Sequence, residues 1–285
     1  MLATASEHSI CMKRRLKATM AYPNYIPKLL ILICMGISVI QAGSISSSIV
    51  KGSLLPSPRI LNARVAGSGQ FPYQVSVRVG GQHNCGGVII SQNYVLTAAH
   101  CVYSFRTSQL TVQAGSINRT EGGVVAGVSK ITPHEEFYFY NNDIALLKLN
   151  ISLEYSDLIQ PIPLAAILPP AGVQVTVSGW GRIREAGPLS DTLLYARNLF
   201  VLKTEDCSKF VGSSTLQILC LQKVLGNGIC DGDDGGPAVY QGFLIGIASY
   251  HSNGCGNNNP DGFTKIPYFK RWIVENSDLD SEIAG

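Results

Sequence analysis

Three segments carry side chains that can do chemistry. Thr97-Ala98-Ala99-His100-Cys101 supplies a histidine and Asn142-Asp143-Ile144-Ala145-Leu146 an aspartate. Cys230-Asp231-Gly232-Asp233-Asp234-Gly235-Gly236-Pro237 supplies a tight glycine-rich loop with three acids and no serine or threonine. A histidine oriented by an aspartate is the base half of a hydrolytic relay. It takes the proton of a nucleophile attacking a carbonyl, while backbone N–H groups hold the oxyanion. In this chain the loop offers a carboxylate, Asp234, and no alcohol.

The elements that must position these segments read as all-β. Residues 73–79, 88–90, 95–98, 144–149, 173–177 and 243–248 form short apolar runs rich in Val and Ile, separated by Gly, Asn, Pro and Ser. That pattern predicts a barrel or sandwich. Only residues 268–276 read as a helix, with Phe269, Trp272 and Ile273 at i, i+3, i+4 spacing. A length of 285 residues, 46% hydrophobic and 14% charged, suits one large domain or two small ones with a sizeable core. The formal charge of +3 comes from residues 1–59, which hold seven Lys/Arg and one acid. The rest carries 15 basic and 18 acidic residues, which gives no reason to expect a nucleic-acid partner.

Residues 29–40 are apolar and follow Lys28, with Gln41-Ala42-Gly43 behind them. The run matches a signal-peptide core and is too short to cross a bilayer of ~30 Å. Residues 1–42 are therefore expected to be a signal-peptide region. A start at Met20 would give a leader of ordinary length and make residues 1–19 an upstream extension. Residues 43–59, rich in Ser, Gly and Pro and free of cysteine, read as a pro-segment ahead of a single domain over 60–285. The product is expected to be secreted and extracellular, with no stable membrane anchor. Cys11 and Cys34 lie in the leader, and the remaining even set of six reads as three disulfides. No body spacing reads as C-x-x-C, so zinc has little support.

The three segments, in the order His, Asp, loop, together with Ser178-Gly179-Trp180-Gly181, resemble the chymotrypsin-like serine proteases (peptidase S1). The family's nucleophile loop is normally written Gly-Asp-Ser-Gly-Gly-Pro, and only its serine is missing. The likeness runs from Arg59 to about Asn276. It implies two six-stranded antiparallel β-barrels with a C-terminal α-helix and the active site in the cleft between them. It further implies the bridges Cys85–Cys101, Cys207–Cys220 and Cys230–Cys255. The catalytic places fall to His100, Asp143 and Asp234, and the oxyanion hole to the N–H groups of Gly232 and Asp234. Arg59-Ile60-Leu61-Asn62 resembles the activation junction, nine residues ahead of Gly69-Gln70-Phe71-Pro72-Tyr73. Cleavage after Arg59 by a trypsin-like protease would free the Ile60 ammonium to pair with Asp233, since a buried carboxylate needs a partner.

Asp234 argues against peptidase chemistry in three ways. A carboxylate is a poorer nucleophile and would form a mixed anhydride. Its charge stands where the substrate's oxyanion should develop. It is also expected to pair with His100 and hold it protonated, which removes the general base. The resemblance thus implies an inactive serine protease homologue acting as cofactor, decoy or regulator in proteolysis or immunity. The alternative is a weakly active serine-type endopeptidase of the chymotrypsin-like digestive kind. The expected partner is a protein or peptide in the cleft or on surface loops, bound by a monomer that needs no cofactor and no metal.

The primary pocket falls to Gly228 and Ile229 at its base, Ser249-Tyr250-His251 along one wall and Asp261 on the other. A glycine base with a wall aspartate resembles the brachyurin-like and insect chymotrypsin-like members. Either Asp261 accepts a basic side chain, or His251 and Asp261 pair and plug the pocket. Asn118-Arg119-Thr120 and Asn150-Ile151-Ser152 are glycosylation sequons, Asn118 the better placed. His83 and His134 read as surface or packing histidines, and Tyr138-Phe139-Tyr140 as barrel-edge packing. Residues 257–259 read as a solvated loop. The loop from Gln113 to Gly123 holds one acid, Glu121, too few for calcium.

Overall fold

A computed structural model describes residues 63–224 and 226–280. The signal-peptide region, the pro-segment, Cys11, Cys34 and the junction Arg59-Ile60 lie outside the described residues. Six strands close a first antiparallel barrel: β2 (Gln74–Val79), β3 (Gln82–Ile89), β4 (Tyr94–Thr97), β5 (Leu110–Ala114), β6 (Val124–Pro133) and β7 (Ala145–Leu149). Their order around it is β2-β3-β4-β7-β6-β5. A second closed set comprises β8 (Gln174–Gly179), β9 (Leu194–Val201), β10 (Ile218–Lys223), β11 (Pro237–Tyr240), β12 (Phe243–Tyr250) and β13 (Asp261–Lys265). The two-residue β1 (Arg64–Val65) pairs outside β9, and a β8–β9 ladder completes the closure. Two hairpins turn through residue pairs with positive φ, Gly80-Gly81 (57° and 81°) and Gln241-Gly242 (48° and 83°). Positive φ at both central residues matches the right-handed twist of the flanking strands.

Helix α2 (Ile266–Glu275) begins close to where the periodicity places it, with Pro267 in its first turn. A second helix, α1 (Thr204–Val211), was not anticipated. It is short and buries only Cys207, whose bridge to Cys220 in β10 holds it, so its apolar periodicity is faint in the sequence. All three implied disulfides are formed. Bridges closing such loops stabilise small domains by about 2–4 kcal/mol each.

The larger core mixes the two halves of the chain. Val75, Val88, Leu96 and Leu146 of the first barrel share one buried cluster with Leu244 and Ile247 of β12 and Phe269 and Ile273 of α2. His134 packs against Phe269 and Trp272 at ring separations of 5.4 and 5.1 Å, the packing role expected of it. Trp272 Nε1 donates to Glu135 at 2.9 Å. The barrels also meet through polar contacts beside the cleft. Ser178 Oγ donates to Gln74 Oε1 at 2.7 Å, and Thr264 Oγ1 donates to the Asp143 carbonyl at 2.7 Å.

Candidate active site

His100 sits in a single 3-10 turn, Ala99–Cys101, that follows β4, and Asp143 lies just ahead of β7. Asn142 before it adopts φ 51°, a conformation Asn tolerates better than most side chains. Its Nδ2 donates to the Glu136 carbonyl at 2.9 Å, which fixes the turn. The fully buried Asp143 carboxylate accepts three hydrogen bonds. They come from His100 N–H (2.9 Å), His100 Nδ1–H (2.7 Å) and Ser249 Oγ–H (2.6 Å). Nδ1 is thus the protonated nitrogen and Nε2 the basic one. Burial lowers the His100 pKa, but the Asp143 hydrogen bond, its charge and the charge of Asp234 outweigh it, and the net shift is upward.

The loop after Cys230 turns on two glycines, Gly232 (φ 94°) and Gly235 (φ 77°). A side chain at Gly235 would collide with Thr97 Oγ1 and the Gly86 carbonyl, so the loop approaches the first barrel backbone to backbone. Gly86 N–H donates to the Asp234 carbonyl at 2.7 Å and Gly235 N–H to Ala248 O at 2.7 Å. The amides of Gly232 and Asp234, the two expected to form the oxyanion hole, donate to no described group. The Asp234 carboxylate likewise accepts no hydrogen bond among the described residues. The expected ion pair with His100 is not formed: Nδ1 is bonded to Asp143, Nε2 makes no hydrogen bond to the Asp234 carboxylate, and the two side chains meet only through space. Burial pushes Asp234 up to about 6, against the lowering charges of His100 and His251.

Asp233 points the other way, into a socket made by the Ser-Gly-Trp-Gly segment. Side chains at Gly179 or Gly181 would collide with its carboxylate. Gly181 N–H donates to it at 2.7 Å and Cys230 N–H at 3.1 Å. Burial still lifts it to about 7, more than these two amides offset. His83 holds the loop from behind: its Nε2–H donates to the Gly232 carbonyl at 2.9 Å and its Nδ1 accepts from Ser76 Oγ at 2.8 Å. Burial lowers its pKa to about 4 and keeps it neutral. His83 is buried and packs against Trp180 at a ring separation of 5.8 Å, the packing role expected of it, and its support of the Gly232 carbonyl is a further role the sequence did not show. The available signal was the Gly80-Gly81 hairpin, which sets His83 opposite Arg78 and within reach of Ser76, two residues before Arg78.

At the pocket, Asp261 is fully buried and accepts Ile229 N–H at 2.9 Å. Its other oxygen pairs with Lys223 Nζ, and both side chains are 0% exposed. His251 does not pair with it; its Nε2 faces Asp231 Oδ1 at 3.1 Å. Of the two alternatives, the His251–Asp261 plug is not formed, and Asp261 pairs instead with Lys223. Burial pushes the Asp261 carboxyl up, and the Lys223 ammonium and Ile229 amide oppose that. Gly228 (φ 112°) lies against the pair, since a side chain there would collide with Asp261 Oδ2 and Lys223 Cδ. Tyr250 covers Gly262, and burial with the Asp261 charge pushes its phenol to about 12. Lys223 was missed because it ends an apolar strand five residues before Gly228 and belongs to no motif of its own. A lone lysine closing the run Ile218–Lys223 was the only trace.

The family model described as Trypsin matches residues 60–273. The chain belongs to the trypsin family. Serine protease SP24D of Anopheles gambiae is 41% identical over 219 residues, covering 75% of this chain and 80% of that protein. Chymotrypsin-2 of Vespa crabro is 37% identical over 76% of this chain and 99% of its own length. Among solved structures, neuropsin, a serine protease of mouse brain, superposes with a TM-score of 0.69 at 28% identity. That match covers 75% of this chain and 98% of the neuropsin chain.

This trypsin-family chain also carries an aromatic wall beside His100. Tyr138, Phe139 and Tyr140 are 68%, 68% and 52% exposed, so the expectation of barrel-edge packing is corrected. A tight Tyr138–Asn141 turn with Phe139 at φ 53° lifts them off the barrel. Tyr140 lies between His100 (6.2 Å) and Tyr250 (5.2 Å). In the Gln113–Gly123 loop, Gln113 Nε2 donates to the carbonyls of Asn118, Glu121 and Gly122, so those oxygens already have a partner. Asn118 is half-buried and bonded to Thr120 and Glu121, whereas Asn150 is exposed. In the 257–259 loop only Asn258 is exposed; Asn257 is half-buried and its Nδ2 donates to Gly254 O at 2.7 Å. Among the described residues no helix is long and apolar enough to cross a membrane.

Proposed function

We propose that this chain is a secreted serine protease homologue, cut after Arg59 and acting by binding, with its peptidase chemistry lost at Asp234. One observation carries the reading: a half-buried carboxylate occupies the nucleophile position in an otherwise intact frame. Held near 6, Asp234 is mostly ionised at pH 7 beside the two amides an oxyanion needs. Its charge also helps raise His100, which costs that residue part of its basic form. The glycine-lined socket around Asp233 supports activation by a trypsin-like protease at Arg59, because a carboxyl held near 7 gains from an Ile60 ammonium. The partner is a protein or peptide that uses the cleft or its surface loops, and the role is that of cofactor, decoy or regulator. Glycans at Asn118 or Asn150 are compatible with this.

A second reading, a weak serine-type endopeptidase, is favoured by the intact His100–Asp143 pair and the two open amides. One comparison separates them: Arg59-cleaved protein and its Asp234→Ser variant on a broad peptide library. The binding reading expects no turnover by the natural chain. Turnover equal in both proteins, and lost in His100→Ala, would establish the endopeptidase.

A further inference from the structure

The Lys223–Asp261 pair lies where the family resemblance puts the primary pocket. Asp261 is a carboxylate on the pocket wall, Gly228 and Ile229 form the base, and both ends of the pair touch them. Asp261 Oδ2 takes the Ile229 amide at 2.9 Å, and Lys223 Nζ would stand 3.1 Å from a side chain added at Gly228. Lys223 therefore arrives from inside the barrel, along the last position of β10, at the carboxylate that a basic side chain from outside would need. Neither side chain of the pair has any solvent exposure. A buried ion pair of this kind excludes a second cation, because one carboxylate cannot compensate two desolvated ammonium or guanidinium groups.

We propose that Lys223 is an intramolecular occupant of the primary pocket, standing in for the basic side chain of a bound peptide, and so determines what the pocket accepts. The pocket of the natural chain then rejects ligands carrying an ammonium, amidine or guanidinium group. Truncating Lys223 converts it into a cation-binding pocket built on Asp261. This does not depend on the loss of peptidase activity, since occupancy concerns binding alone. The two readings therefore fail separately. An Asp234→Ser variant that cleaves peptides yet binds no cation and a natural chain that is inactive yet binds cations are distinguishable outcomes. Lys223 acts by filling space and charge, not as a catalytic residue.

The test is ligand binding to the whole secreted chain by calorimetry and thermal shift, with benzamidine and n-propylammonium as probes and n-propanol as the neutral control. The natural chain should bind neither cation. Lys223→Ala should bind both, mutually competitively, with a dissociation constant below about 1 mM. Lys223→Ala/Asp261→Asn should again bind neither. Because Lys223→Ala strands a buried carboxylate and can fail to fold alone, it is also refolded with each probe. Recovery of the folded state with the cations and not with propanol supports the proposal by mass action. Benzamidine binding to the natural chain overturns it. So does a Lys223→Ala protein that takes propylammonium but not benzamidine, which would make the pair a sealed core contact. Failure of both cations to bind or to restore folding overturns it as well.

Discussion

At the scale of single residues, Asp234 and Ser249 set the character of the site. Asp234 is held at about 6 against an ordinary 3.8 because burial disfavours its charge. Between those values the folded chain binds more protons than the unfolded one, so this group's contribution to stability falls as pH rises from ~4 to ~6. Asp234→Asn is accordingly expected to stabilise the chain at pH 7 by on the order of 1–3 kcal/mol, toward the low end because its edge meets solvent. The gain should vanish near pH 4 in urea melts, and an equal gain at both pH values would refute the burial argument. Ser249 acts oppositely. Its hydroxyl is one of three donors to a buried carboxylate, so Ser249→Ala should lower stability by about 1–3 kcal/mol. Chemical denaturation at neutral pH measures that loss, and no change would mean that Asp143 has another donor.

Glycines decide at the scale of elements where backbone can approach backbone. Gly235 and Gly242 both have positive φ, 77° and 83°, but only Gly235 has neighbours where a side chain would go. Gly242→Ala should cost about 1 kcal/mol, the penalty of the left-handed conformation alone. Gly235→Ala should cost more than about 2 kcal/mol, since it also drives the nucleophile loop off Thr97 and Gly86. Equal melting temperatures for the two variants would show that the loop yields freely. Strands β2, β3, β4, β7, β8 and β12 followed from their Val/Ile runs and turn residues, because a strand's apolar pattern is local. Helix α1 did not, since a disulfide and not an apolar face secures it.

Across the whole molecule the two barrels share a buried cluster, so they are expected to unfold as one cooperative unit. Helix α2 follows the second barrel in sequence yet buries Phe269 and Ile273 in the cluster shared with the first. Phe269→Ala should therefore cost about 3–5 kcal/mol. It should lower the melting temperature by roughly 2–4 °C per kcal/mol while a single transition persists. Two resolved transitions in calorimetry would show that the barrels are independent.

The sequence alone determined a β-rich body with one C-terminal helix and the positions of His100, Asp143 and Asp234, and the resemblance carried by its motifs implied the family, the two-barrel fold and the three bridges. These lie in contiguous motifs or in periodic runs, and such signals survive in one dimension. Tertiary structure decided which charges meet. It paired Asp261 with Lys223, 38 residues away, and His251 with Asp231. It kept Asp234 off His100, made His83 the support of the Gly232 carbonyl, and put three aromatic side chains into solvent. The physical reason is common to all of these. An ion pair or hydrogen bond is chosen by distance after the barrels close, and nothing in the order of residues encodes that distance.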